Sequence, residues 1–240
     1  MKRIYNILRF GLGEGGRARK RAHKDRLRRE TFGSELWQHD GQMVQRRYAS
    51  YDEYVKHQGS KLEGIIHRLR ETEAEDFEDF RNRFQGCGAL GGLRSVLCLG
   101  ARLGTEVRAL HSLGYFAVGI DLNPGQDNPY VLPGDFHGVV FPDSSVDGVY
   151  TNTLDHVFDL DKMIGEIRRL LRPGGIFIAD VLQGFDEGFV PGKFESTHWR
   201  ESEAFLEKIR DIGGFSLEGV RDLGYRRRDH WRQAVFRKPA

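Results

Sequence analysis

The stretch Val96-Leu97-Cys98-Leu99-Gly100-Ala101-Arg102-Leu103-Gly104 is a short apolar run that closes on a glycine turn, and Thr105-Glu106-Val107-Arg108-Ala109-Leu110 follows it at once. An apolar run of this length bounded by a turn signal reads as a buried strand, and a strand feeding a helix through glycines reads as the opening of a βαβ unit. Backbone without a Cβ can approach a ligand closely, and the helix N-terminus behind it favours a negative group such as a carboxylate. The glycine pair alone is a weak signal, so its surroundings decide.

Downstream, short apolar runs alternate with amphipathic segments. Strands are expected at residues 96–99, 115–121, 138–141, 146–151, 176–181, 216–220 and 231–236, and helices at 105–113, 160–171 and 201–212. In the helix at 160–171, Leu160, Ile164, Ile167 and Leu171 share one face, and Arg172-Pro173-Gly174-Gly175 stops it. Strands alternating with helices predict an α/β fold with a doubly wound, mostly parallel sheet, whose ligands bind at the carboxyl ends of the strands.

Three further features stand where a nucleotide-type cofactor needs them. Asp121 ends the second strand, where an acid can accept both hydroxyls of a ribose, and Leu122-Asn123-Pro124-Gly125 follows as a turn whose Leu122 can cover a base. Gly134-Asp135-Phe136-His137 offers a carboxylate for an exocyclic amine beside an aromatic ring. The run from Phe141 to Asn152, joined to Asp155 and His156, leads into the helix that ends at Arg172-Pro173-Gly174-Gly175.

With these four features together, residues 86–240 resemble the class I, Rossmann-like S-adenosylmethionine-dependent methyltransferases of the small-molecule and glycan type (methyltransferase type 11-like). The resemblance implies a seven-stranded sheet, S-adenosyl-L-methionine as cofactor, and cofactor contacts from Gly100, Ala101, Arg102 and Gly104 around the methionine portion. It further implies ribose contact by Asp121 with Leu122 and Asn123, adenine contact by Asp135 and Phe136, and a methyl-facing segment from Asn152 to His156. Two residues depart from the family pattern: Cys98 replaces the usual acid of the first strand, and Arg102 replaces the middle glycine of the turn. The missing Gly-x-Gly-x-x-Gly pattern argues against a nicotinamide dinucleotide site.

Methyl transfer to a hydroxyl needs alignment, exclusion of water and removal of a proton, and histidine is the side chain whose ordinary pKa lies nearest neutrality. His156, with Asp155 beside it, is the expected catalytic residue. His198, between the fifth strand and the last helix, and Tyr51, Tyr54 and His57 of the N-terminal part are the expected substrate contacts. Lys61 could line the cap with the last three, plain helix packing is the other reading for all four, and His137 is expected to be structural. No cluster of ligands at metal-binding spacing stands out, and no metal is expected.

Residues 1–85 read as a basic arm followed by a helical cap, residues 48–66 lying over the pocket of a catalytic domain at 86–240. The chain's 37 Lys and Arg against 35 Asp and Glu give a net charge of +2, but residues 1–30 alone carry +8. A basic run is usually a solvated helix or a disordered arm. Its other readings are weak contact of Ile4, Ile7, Leu8 and Phe10 with an anionic membrane, or an electrostatic arm of a nucleic-acid methyltransferase. Asn152-Thr153-Leu154-Asp155 stands where base-amino methyltransferases carry Asn-Pro-Pro-Tyr, which argues against nucleic acid. The most direct function is methylation of a hydroxyl on a small molecule or glycan. A catalytically silent binding or scaffold protein of the same fold is the alternative. Two cysteines give no disulfide framework, Cys98 reads as a small buried hydrophobe, and no run is long and apolar enough for a membrane span, so the expected compartment is a reducing cytoplasm.

Overall fold

The computed structural model describes residues 14–227 and 229–240. The chain opens with α1 (Glu14–Phe32), a hairpin of β1 (Trp37–Asp40) and β2 (Met43–Arg46), and three helices, α2 (Tyr51–Gly59), α3 (Lys61–Glu71) and α4 (Glu73–Gln85). There follow β3 (Ser95–Leu99), α5 (Thr105–Ser112), β4 (Phe116–Asp121), β5 (Val131–Pro133), β6 (Val146–Thr151), α6 (Leu160–Leu170) and β7 (Leu171–Leu182). The last elements are β8 (Thr197–Trp199), α7 (Ser202–Gly213), β9 (Ser216–Arg226) and β10 (Asp229–Arg237).

Seven strands form one sheet in the order β5-β4-β3-β6-β7-β10-β9. Its first five strands are parallel, and β10 runs antiparallel to both β7 and β9. The alternation of side chains along each strand feeds two cores. In β3, Leu97 and Leu99 pack toward Ile164, Ile167, Phe205 and Ile209 of α6 and α7. Val96 and Cys98 point the other way, into a cluster with Phe80, Phe84, Val107 and Leu110 of α4 and α5. Cys98 is fully buried and burial pushes its thiol well above the ordinary range, as expected of a small core hydrophobe. The helix expected at 160–171 spans Leu160–Leu170. Asp159 caps it by accepting from Lys162 N, and Leu160, Met163, Ile164, Ile167 and Leu170 are buried along one face.

Two expectations change. The third parallel strand is Val131–Pro133, not 138–141. Residues 138–141 carry apolar side chains, but side chains of α6 hold their backbone: Val139 N donates to Glu166 Oε1 at 2.7 Å, and Arg169 donates to the carbonyls of Val139 and Phe141. The first 85 residues are also not wholly helical. A two-residue loop with Gly41 at φ +56° joins β1 to β2, and β2 pairs with β8, Met43 opposite Trp199. A second, three-stranded sheet thereby fastens the N-terminal part to the segment behind β7. The helical reading of the basic segment agrees with α1 from Glu14 onward, whereas Ile4, Ile7, Leu8 and Phe10 lie outside the described residues. No described helix is long and apolar enough to cross a membrane.

Candidate functional site

The strand order reverses at β3, with β4 on one side and β6 on the other, and a crevice opens at their carboxyl ends. Beyond β3 the chain turns through Gly100 at φ +74°, Arg102 at φ +46° and Gly104 at φ +77°. A Cβ on Gly100 would stand 2.3 Å from Thr153 Oγ1, so conformation and space both demand glycine there. The amides of Gly100 and Ala101 donate to the Ile120 carbonyl. Arg102 N donates to Asp121 Oδ2 and Asn123 N to Asp121 Oδ1, each at 2.9 Å. Asp121 therefore ties the turn after β3 to the turn after β4, and each of its oxygens keeps a lone pair for another donor.

Two compartments share the walls Lys61, Gly100, Arg102, Thr153 and His156. The smaller, about 40 Å³, is completed by Tyr54, Asp121, Leu122, Asn123 and Phe136. The larger, about 270 Å³, includes Ala101, Asn152, Asp155 and Glu195, with aromatic walls from Phe80, Phe189 and Trp231. Helices α2 and α3 lie against this site: Asn123 Nδ2 donates to the Gly59 carbonyl at 2.9 Å, and Gln58 Nε2 donates to the Phe194 carbonyl at 2.7 Å and Ser196 Oγ at 2.8 Å.

Buried charge concentrates where the compartments meet. Burial and the nearby Arg102 push Lys61 well below the ordinary lysine range, against the pull of Asp155, Glu195 and Asp121. Burial and neighbouring Glu195 push Asp155 up, and burial together with Lys61 and Arg102 pushes His156 far down. His156 Nδ1 donates to the Phe194 carbonyl at 2.9 Å, which leaves Nε2 as an acceptor for Lys61 Nζ at 2.5 Å. Asp155 Oδ2 stands 3.5 Å from the same Nε2. Burial also lowers Arg102, whose guanidinium forms no ion pair among the described residues.

Of the sequence-predicted residues, Gly100, Ala101, Arg102, Asp121, Leu122, Asn123, Phe136, Asn152, Asp155, His156 and Tyr54 come together as walls. Gly104 does not; it caps α5, and Tyr130 and Val131 fill the place of its Cβ. Asp135 is also outside the walls. Its Oδ1 accepts from His137 N and Nδ1, both at 2.8 Å, and its Oδ2 from the Tyr51 hydroxyl. The hydroxyl of Tyr51 is thus turned toward Asp135 and away from the compartments, while His57 Nδ1 bonds the Tyr48 hydroxyl. His198 lines neither compartment. It is fully buried in β8, stacked on Phe189 and Trp199 at 4.0 and 4.4 Å between centroids, and held neutral by burial, which lowers it to about 3. Sequence reasoning passed over Thr153, Gln58 and Glu195; Thr153 alone had a positional signal, as the neighbour of Asn152 at a strand end.

The contact of Tyr51 with Asp135 has a measurable consequence. Burial pushes the Asp135 carboxyl up, but hydrogen bonds from His137 and Tyr51 outweigh it and bring the group to about 2. A carboxyl lowered on folding stabilises above its unfolded pKa of about 3.9 and loses that contribution as pH falls toward the folded value. Urea midpoints of the natural chain and of Asp135→Asn are expected to differ at pH 5 and to converge toward pH 2. Parallel pH curves would remove this role.

Donor groups without protein partners show what the site fits. The Tyr54 hydroxyl is buried without a hydrogen bond at the smaller compartment, and the guanidinium of Arg102, without an ion pair among the described residues, lines both. A ligand with ribose hydroxyls, a flat base and a carboxylate matches Asp121, the Leu122 and Phe136 walls, and Arg102. Sheet order, glycine turn and acidic strand end are those of the class I, Rossmann-like methyltransferase fold. Residues 97–179 match the family described as a methyltransferase domain.

Among curated proteins, the chain is 33% identical over 97 residues to a sterol 24-C-methyltransferase of Gibberella zeae. It is 32% identical over 128 residues to a sterol 4-C-methyltransferase of Caenorhabditis elegans. These matches cover 38% and 51% of this chain but only 25% and 38% of the relatives' lengths. Among solved structures, the Burkholderia thailandensis 1,6-didemethyltoxoflavin-N1-methyltransferase, with 1,6-didemethyltoxoflavin and S-adenosylhomocysteine bound, superposes with a TM-score of 0.63 at 17% identity. That match covers 85% of this chain and 99% of the other. A possible histamine N-methyltransferase of Thermotoga maritima superposes at 0.58 with 15% identity, covering 77% and 99%.

Proposed function

We propose that this chain transfers the methyl group of S-adenosylmethionine to a hydroxyl of a small molecule or glycan. The observation that carries the reading is the pair of compartments at the carboxyl ends of β3, β4 and β6. One is walled by Asp121, Leu122, Asn123 and Phe136, the other by Asp155, Glu195 and three aromatic rings, and Lys61 and His156 stand between them. The small-molecule acceptors named for the relatives support that class over nucleic acid.

When bound, the cofactor supplies a methyl group already activated by its sulfonium charge. The protein's share is to hold both partners in line, exclude water and receive a proton. Asp121 would take the ribose hydroxyls, the turn at Gly100 and Ala101 would leave room for the methionine portion, and Arg102 would meet its carboxylate. Phe80, Phe189 and Trp231 enclose an acceptor of modest size, and α2 and α3 act as a cap that keeps water out. The acceptor's proton is received between the compartments, where Lys61 and His156 meet.

Titration calorimetry with S-adenosylhomocysteine is expected to give a dissociation constant in the micromolar range. Transfer of isotope-labelled methyl to a panel of phenols, alcohols and sugars is expected to give a labelled ether. Folded protein without heat of binding overturns the reading. Binding without transfer to any acceptor favours a silent scaffold, which the departures at Cys98 and Arg102 make the second reading.

A further inference from the structure

We propose that Lys61, on the cap helix α3, is a catalytic residue that receives the acceptor's proton, and that His156 is its positioning partner. The inference rests on the methyltransferase reading and deepens it at the same site. His156 is the residue a sequence reading selects as base, yet its one free nitrogen is covered. Nδ1 carries the hydrogen donated to the Phe194 carbonyl, so Nε2 holds the lone pair, and Lys61 Nζ sits on it at 2.5 Å. A neutral amine that donates one N–H to Nε2 keeps its own lone pair. Lys61 lines both compartments, so that lone pair lies between the place for the cofactor and the place for the acceptor.

Relative basicity selects the same residue. Burial drives Lys61 down from a high ordinary value and drives His156 down from a low one, so a proton delivered to the pair rests on the lysine. The charged and titratable groups facing Lys61 are Arg102 from the turn after β3, Asp121 at the end of β4, Asp155 and His156 behind β6, and Glu195 from the segment before β8. Arg102 favours the free amine. Asp155 and Glu195 favour the ammonium, and Glu195 Oε2 is buried without a hydrogen bond, ready for the charge that appears when Lys61 is protonated.

In the balanced step, an oxygen electron pair of the acceptor hydroxyl forms the new bond to the methyl carbon and the O–H proton moves to Lys61 Nζ. The electron pair of the broken carbon–sulfur bond stays on sulfur. Lys61 ends as an ammonium held by His156 Nε2 beside the two carboxylates, and a water can later remove the proton.

Competitive labelling of the full chain with acetic anhydride, in the presence of S-adenosylhomocysteine, tests this without a known acceptor. Peptide mass spectrometry across pH 5 to pH 11 follows Lys61 against the exposed Lys56 and Lys162. Lys61 is expected to titrate about two pH units or more below both references. In His156→Leu, which removes the acceptor that holds the ammonium, Lys61 is expected to titrate lower still, by about half a pH unit or more. Saturable binding of S-adenosylhomocysteine together with a Lys61 that titrates like Lys56 overturns the proposal and leaves the methyltransferase reading standing. No binding of S-adenosylhomocysteine overturns both.

Discussion

Asp121→Ala is expected to weaken binding of S-adenosylhomocysteine by at least about 100-fold, 2.7 kcal/mol or more, while the far-ultraviolet circular dichroism stays that of the natural chain. Two losses add up. The first is a pair of charged acceptors for ribose hydroxyls, each worth about 1.5–3 kcal/mol in a hydrogen bond to a charged group. The second is the shape of the site. Asp121 holds Arg102 N and Asn123 N, and Arg102 occupies the left-handed region at φ +46°, a conformation costing a residue with a Cβ about 1–2 kcal/mol. Without the carboxylate that turn has no acceptor for its amide and relaxes, which withdraws the Arg102 guanidinium from both compartments. Asp121→Asn separates these terms only partly, because one amide oxygen can serve one of the two backbone donors while the NH₂ faces the other. It is expected to lose at least 10-fold. Calorimetry that finds either variant within threefold of the natural chain would remove Asp121 from the cofactor site.

How far the sequence disclosed this depends on the range of the interaction. The run at 96–99 and the periodicity at 160–171 are local patterns, and the strand and helix appear where they predict. The parallel pairing of the central strands follows from the alternation of strands and helices. The strand expected at 138–141 was misread because its apolar residues are real, while Glu166 and Arg169 answer its backbone instead of another strand. The β1–β2 hairpin has strands of four residues, too short for a period to declare itself, and the partner that stabilises it lies at Thr197–Trp199. Site residues carried by the glycine turn and by Asp121 were legible, since a strand end points its neighbours into the crevice. Tyr51, Tyr54 and His57 were legible as residues of the cap only. Which of them faces the ligand depends on Asp135 and Tyr48, which bond Tyr51 and His57 and leave the Tyr54 hydroxyl without a partner. The contact of Lys61 with His156 spans 95 positions, and no local pattern encodes it.

The largest effect on stability is expected at Asp180→Ala. Asp180 lies on β7 with its side chain fully buried, and accepts from Arg83 Nη1 at 2.8 Å, Tyr150 Oη at 2.7 Å and Gln233 Nε2 at 2.9 Å. Burial disfavours the Arg83 charge, and the Asp180 carboxylate more than offsets it, so the guanidinium is held above its ordinary range. Removing the carboxylate leaves a buried arginine with Asp79 as its remaining ion pair at 2.8 Å, and strands the Tyr150 and Gln233 donors. Breaking a buried pair from one side costs about 3–5 kcal/mol, much of it from the charge left behind. Urea unfolding should show that loss as a lower midpoint at an unchanged slope. A double variant, Arg83→Met with Asp180→Leu, removes the stranded charge as well and is expected to recover at least half of the loss. The network also reaches the site, since Arg83 and Phe80 of α4 wall the larger compartment together with Trp231 of β10. Asp180→Ala is therefore expected to weaken acceptor turnover more than cofactor binding. A stability change under 1 kcal/mol would mean that Asp79 alone compensates Arg83, and the pair through Asp180 would then have no structural weight.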